Sequence, residues 1–185
     1  YLKKWQDIRS IRAIYKKWVH ERARGERDSK EHKVLKEQSL GSSDWMTAQE
    51  LGKEIQCGKI TPREAVVRAS ERCRAQGRVA CNAITEEFYD EAAQRALDLM
   101  TMNKNERLSK PLFGIPISVK ECLNIVGTYS TGGLACRLRK RDDMDALLVR
   151  LAKEAGAIPV CSGNVTQIMF LPEVRGLVLI RIQHS

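Results

Sequence analysis

A chain of 185 residues with 43% hydrophobic and 30% charged residues has the composition of an ordinary soluble protein and the length for one domain with a core of its own. No run reaches the roughly 18 to 20 consecutive apolar residues of a transmembrane helix, and the first residues do not read as a secretory leader. The net charge of +9 is uneven: residues 1–40 hold twelve Lys/Arg against six Asp/Glu, a balance of +6, and the rest hold twenty against seventeen, a balance of +3.

Residues 1–40 read as a long polar helix. Ile8, Ile11, Tyr15 and Trp18 follow one another at +3, +4 and +3, with Trp5 one turn earlier on the same face, and lysines and arginines fill the remainder. A basic helix with such a stripe suits an anionic membrane surface, and the stripe is equally able to pack on the domain. Nucleic acid is disfavoured as a partner, because no recognised binding motif accompanies the charge. Residues 40–44 (LGSSD) read as a linker that also supplies the cap of the next helix. The expected organisation is a basic amphipathic segment and linker over 1–43, a folded part over 44–174, and a separate tail over 175–185.

A helix is expected over 47–57 with Leu51 and Ile55 inward, closed by Gly58. Thr61-Pro62-Arg63-Glu64 is a helix start with Thr as N-cap, Pro at the first position and Glu completing a capping box. Its apolar stripe is Ala65, Val66, Ala69 and Cys73. A short strand follows over 81–85, then a helix over 90–102 with Ala93, Ala96, Leu97 and Met100 facing inward.

The stretch KPLFGIPISVKEC, residues 110–122, carries the chemistry. Ile115 to Val119 reads as a buried strand and stops at the charge pair Lys120-Glu121. Desolvation penalises the ammonium form of a lysine at such a place. Lys120 is therefore either an ordinary strand-end lysine at the surface or a lysine held partly neutral, which is how a general base is made. Cys122 reads as a small buried hydrophobe, with its place two residues beyond the lysine as the alternative reason for interest. Residues 124–126 are a candidate strand, and 127–133 (GTYSTGG) form a polar glycine-rich turn that lacks the spacing of a phosphate loop. Asp145 is expected to cap a helix over 146–155 with Leu147, Leu148 and Leu151 inward, ended by Gly156. The run 157–161 then returns as a strand, an order that predicts parallel α/β packing. Residues 164–170 follow at the carboxyl end of that strand, where open α/β sheets gather ligand contacts.

Six cysteines (Cys57, Cys73, Cys81, Cys122, Cys136, Cys161) include no C-x-x-C pair, and His20, His32 and His184 lie far apart. That pattern gives no metal-ligand spacing and predicts reduced, mostly packed thiols in a reducing compartment.

FGIPISVKE at 113–121, followed by DALLVRLAKEAGAIPVCSGNVTQIMF at 145–170 and preceded by the corner GKIT at 58–61, resembles the amidase signature family, with the fatty acid amide hydrolase branch nearest. The resemblance implies an incomplete amidase-signature α/β fold, helices packed on a partial mixed or parallel sheet. It places Lys120 as the base of a Ser-Ser-Lys triad, in the G-x-P-x-x-x-K-[DE] stretch of the family, with the glycine-rich turn beside it. It puts Met169 and Phe170 on the acyl-binding side of the site, against the alternative that both are core residues. It implies amide hydrolysis without a cofactor, a lipid amide as substrate, and an intracellular protein on endomembranes or in the cytoplasm, the chain beginning just after a membrane helix; a homodimer is left open. It covers residues 44 to about 172. The family's two serines and oxyanion-hole donors come later in such sequences, and residues 175–185 do not supply them, so this chain is expected to be inactive alone. The family often has Pro where Thr166 stands. The rival reading is a non-enzymatic membrane-surface or interaction protein built on the basic N-terminal helix.

Overall fold

Two capping boxes start the folded part. The Thr47 hydroxyl accepts from the Glu50 N–H (3.2 Å) while the Glu50 carboxylate accepts from the Thr47 N–H (2.7 Å), which satisfies two of the helix's orphan donors. Helix α1 runs Ala48–Gln56; its cap is thus Thr47 rather than the Gly-Ser-Ser linker. Thr61 and Glu64 repeat the device (3.1 and 2.8 Å) with Pro62 at the first position of α2, Pro62–Arg72. The computed structural model describes residues 46–80, 83–138 and 140–170. The basic segment and linker of 1–43 and the 175–185 tail lie outside the described residues.

Beyond α2 the chain continues as a wide π-helical stretch, Cys73–Ala80. Strand β1 is Ile84–Glu87, three residues later than the sequence pattern places its start. Two glutamates end it because pairing outweighs their poor strand propensity: Glu86 and Glu87 sit opposite Ser162 and Cys161. Glu87 is ion-paired with Arg78 at 3.0 Å. Helix α3, Tyr89–Met100, buries Tyr89, Ala92, Ala96 and Leu99. Of the four positions expected inward only Ala96 is buried; the helix is turned by about one residue, leaving Leu97 exposed. The small Ala92 and Ala96, one turn apart, share the core with Ala65 and Val66 of α2. A short helix, α4 (Lys104–Leu108), follows.

Strands β2 (Pro116–Lys120) and β3 (Ile158–Gly163) complete a three-stranded mixed sheet in the order β1-β3-β2. The central β3 runs parallel to β2, as the strand–helix–strand order requires, and antiparallel to β1. Ile117 lies opposite Pro159 and Ser118 opposite Cys161, so Val160 is an extra residue in a β-bulge. Between β2 and β3 lies helix α5, Leu147–Glu154. Asp145 does not cap it. Its carboxylate instead accepts from the Val126 N–H (2.9 Å) and from Lys153 (2.6 Å). Residues 124–126 form no strand; Asn124 O accepts the Ala146 N–H (2.8 Å), which ties this stretch to the start of α5.

The larger core cluster joins α1, α2 and α3 to Ile84, Phe113, Ile115, Ile158, Val160 and Cys161. A smaller one gathers Phe88, Val119, Ile125 and Val149. Val149 is the buried residue of α5, while Leu147, Leu148 and Leu151, expected inward, are 61%, 63% and 49% exposed. A 3.6-residue period shows that α5 has a broad apolar arc; it does not show which edge of the arc meets the sheet. No helix among the described residues is long and apolar enough to cross a membrane.

Candidate active site

Parallel pairing brings the carboxyl ends of β2 and β3 side by side, with Lys120 opposite Gly163. The backbone turns immediately: the Glu121 N–H donates to Gly163 O (2.9 Å) and the Leu123 N–H to Lys120 O (2.9 Å). Lys120 is thus fixed at the sheet's edge by its own strand. Its side chain is exposed, as is Ser118 two residues earlier on the same face. Among the described residues Lys120 takes the surface position that one of its two readings expects, and the buried members of the run are Ile115 and Val119.

The buried charge is the neighbour. Glu121 is 5% exposed, and its carboxylate accepts from the Thr131 N–H and hydroxyl (2.5 Å each) and from the Gly132 N–H (2.9 Å). Burial pushes this carboxyl above the usual range, against the pull of the hydrogen bonds from Thr131, Gly132 and Gly133. Glu121 thereby clamps the glycine-rich turn to the strand end. The turn in turn holds the segment after β3, through Ile168 N–H to Gly132 O at 2.7 Å. Gly133 has φ +75° and a Cβ there would stand 2.9 Å from Gln167 Cα, so this approach of two backbones requires glycine. The turn is anchored at its start too, by the Tyr129 N–H on Glu86 (2.9 Å) and the Ser130 hydroxyl on Asp142 (2.6 Å).

Three stretches therefore meet: Lys120-Glu121, the 131–133 turn close behind it in sequence, and the more distant residues 164–170. Met169 and Phe170 lie at the open end of the last, 51% and 87% exposed. Ile168 and Met169 both have positive φ (54° and 57°), an uncommon conformation that the 166–168 contacts with the turn hold in place. Cys122 is half-buried beside the lysine, without a described hydrogen bond. No group of three or more His, Cys, Asp or Glu among the described residues is placed to hold a metal ion.

Residues 65–180 match the model of the family described as Amidase, well over half of the chain and reaching into the 175–185 tail. The chain belongs to the amidase signature family. Among its curated relatives are an amidase of Gibberella moniliformis, 30% identical over 142 residues (76% of this chain, 27% of the relative), and fatty acid amide hydrolase 1 of Caenorhabditis elegans, 34% identical over 129 residues (69% and 22%). The solved peptide amidase of Stenotrophomonas maltophilia superposes with a TM-score of 0.60 at 25% identity, covering 68% of this chain and 26% of that one. The chain thus spans roughly a quarter of the length of the relatives it matches. Fungal amidases and fatty acid amide hydrolases are similarly related to it.

Within this amidase-family chain, the residue that sequence reasoning undervalued is Glu121. It was legible only as half of a charge pair. The signal available was a carboxylate directly after a buried strand, followed ten residues later by Thr-Gly-Gly, whose closely spaced donors can satisfy it.

Proposed function

We propose that this chain is the lysine-bearing portion of an amide hydrolase that cleaves the carbon–nitrogen bond of linear, long-chain amides. The observation that carries the reading is the meeting of Lys120, the Glu121-clamped turn and residues 164–170 at one edge of the sheet. Lys120 is the base of the triad, taking a proton from a bridging serine that in turn deprotonates the nucleophilic serine. The acyl-enzyme formed by attack on the carbonyl is released by water as the acid, and the amine leaves with a proton, so no cofactor is consumed. Met169 and Phe170, apolar and exposed at the rim, suit an acyl chain. The similarity to fatty acid amide hydrolase 1 of Caenorhabditis elegans supports a lipid amide as substrate.

A lysine serves as base only as the free amine, and burial favours that form. Lys120 is exposed among the described residues, so a working site requires further chain to enclose it and to bring the serines and oxyanion donors. The polypeptide of these 185 residues is accordingly expected to release no fatty acid from a long-chain amide. Turnover by the purified chain that Lys120→Ala abolishes would overturn this, by showing a nucleophile within the 185 residues. In a form of the protein that carries the rest of an amidase domain, Lys120→Ala should lower kcat/KM for a long-chain amide by about 100-fold or more. A preference for acetamide over the long-chain amide in that form would remove the lipid assignment and leave the amidase.

The charge of residues 1–40 favours a second property, attachment to an anionic membrane surface. Co-sedimentation with vesicles containing an anionic lipid should weaken as salt is raised, because the attraction is screened; salt-independent binding would refute an electrostatic attachment.

A further inference from the structure

Away from the lysine, two cysteines distant in sequence are in contact. Cys73 ends α2 and opens the π-helical stretch; Cys161 lies in the central strand β3. Their sulfurs are 3.7 Å apart. The bulge at Val160 explains the meeting, because it lets Cys161 join Ile158 and Val160 in the same core cluster instead of facing away from it as strict alternation would demand. Cys73 is half-buried, and Cys161 is 1% exposed.

We propose that Cys73 and Cys161 are a site of reversible oxidation by hydrogen peroxide, closing to an intrachain disulfide that fastens the end of α2 to the central strand. Independent of the amidase reading, it rests on the thiol pair alone. The sulfurs must approach by roughly 1.7 Å to reach bonding distance. The two sulfurs are within hydrogen-bond reach, either able to donate, and this contact holds the Cys73 thiol below its ordinary range; the same contact, with burial, pushes Cys161 up. Cys73, the less buried of the two, is therefore the attacking sulfur. Its thiolate attacks one peroxide oxygen, the O–O bond breaks, and the departing hydroxide takes a proton to become water. Cys161 then attacks the sulfenic sulfur of Cys73, the S–O bond breaks, and a second water leaves with the proton that Cys161 gives up. The two thiols lose two electrons and two protons, and one peroxide becomes two waters. The bond would cross-link the chain two residues before Gly163, the residue opposite Lys120.

The full chain, fully reduced, is treated with hydrogen peroxide, its remaining thiols are alkylated, and it is digested without reductant. The expected product is one cross-linked pair of peptides containing Cys73 and Cys161, with a mass loss of about 2 Da for the two hydrogens, reversed by dithiothreitol. Chain first unfolded in urea should give mixed pairings instead. In Cys161→Ala the oxidation should stop at a Cys73 sulfenic acid that dimedone traps. Recovery of both cysteines as alkylated thiols after oxidation of the folded chain would overturn the proposal. So would dominant cross-links between other cysteines, or Cys73 carried to the sulfinic acid with Cys161 still a thiol.

Discussion

The two core clusters of this chain are made differently. In the larger one, α2 and α3 present small and branched residues, Ala65, Val66, Ala92 and Ala96, to a strand whose residues Ile158, Val160 and Cys161 are all but sealed from solvent. In the smaller, α5 contributes Val149 and turns its three leucines outward. A helix settles by how closely its backbone can approach the sheet, and a single valine with an alanine nearby permits a closer seat than leucines do. The apolar arc of α5 is left exposed, whereas the buried apolar residues of the first region pack on one another, although Val67 of α2 and Leu97 of α3 are also exposed.

The largest effect that tests this contrast is on stability. Ile158→Ala removes a side chain that is fully buried and should cost about 2–5 kcal/mol, whereas Leu148→Ala on the exposed arc should cost no more than about 0.5 kcal/mol. Urea midpoints of the two variants measure the difference. Equal losses would mean that the arc of α5 is covered in solution and that the two regions are alike.

The features the sequence made plain are those decided by a few neighbouring residues. The capping boxes at Thr47 and Thr61 involve groups three positions apart, and the α1 end at Gly58 needs only the positive φ (74°) that glycine allows. The parallel pairing of β2 with β3 was legible because a helix lies between them. What was misread depended on distant partners. Asp145 looks like a helix cap, but Val126 N–H and Lys153 compete for its carboxylate and win. For α3 and α5 the period alone leaves the rotation of a broad apolar arc open. At the site, the lysine was found by motif and the glycine turn by composition. The Glu121 clamp leaves only a faint trace, a carboxylate after a buried strand with Thr-Gly-Gly ten residues on, because nothing local shows that the two meet.

The next effect in size concerns that clamp's outer layer. Gly133→Ala forces a side chain onto a left-handed backbone position against Gln167, and should cost about 1–3 kcal/mol. If residues 164–170 are held as described, amide hydrogen exchange at Ile168, whose N–H bonds Gly132 O, should accelerate in the variant more than exchange in α2. Uniform acceleration throughout would show that the turn and the segment are not specifically coupled.

Two carboxylates should then give stability profiles of opposite sign. The Asp145 carboxyl is pushed up by burial, but Lys153, the Val126 N–H and the field of Arg95 outweigh this and hold it below its ordinary range. Its contribution is present above the unfolded value of about 4 and is lost as pH falls through the lower folded value. Asp145→Asn should cost about 1–2 kcal/mol at neutral pH, with the gap to the parent narrowing below about pH 4. Glu121 is shifted upward, so the folded state holds its proton longer than the unfolded chain does. Its effect runs the other way: stability falls as pH rises from about 4.3 through the raised value. Across that window the parent should lose ground to Glu121→Gln, which carries no charge at any pH; its amide can accept at only one of the two oxygen positions, so the comparison is of slopes with pH rather than of absolute stability. Parallel profiles for parent and variant would show that Glu121 titrates alike in both states.

The smallest stability effect, and the sharpest statement about the second region, belongs to the leucine arc itself. Replacing Leu147 and Leu151 together by Ser removes two large apolar groups that are 61% and 49% exposed and leaves Val149 in the smaller cluster untouched. Exposed positions away from caps and ion pairs shift stability by only about 0.5 kcal/mol in either direction, so the melting temperature should stay within a few degrees of the parent. Solution behaviour should change more. An apolar arc on a helix surface binds hydrophobic dyes and promotes association, so the double variant should bind less anilinonaphthalene sulfonate and scatter less light at high concentration. A marked fall in melting temperature with unchanged dye binding would place the arc inside an interface. The α5 leucines would then pack against another part of the protein, or a second copy of it, and the contrast between the two regions would belong only to the described residues.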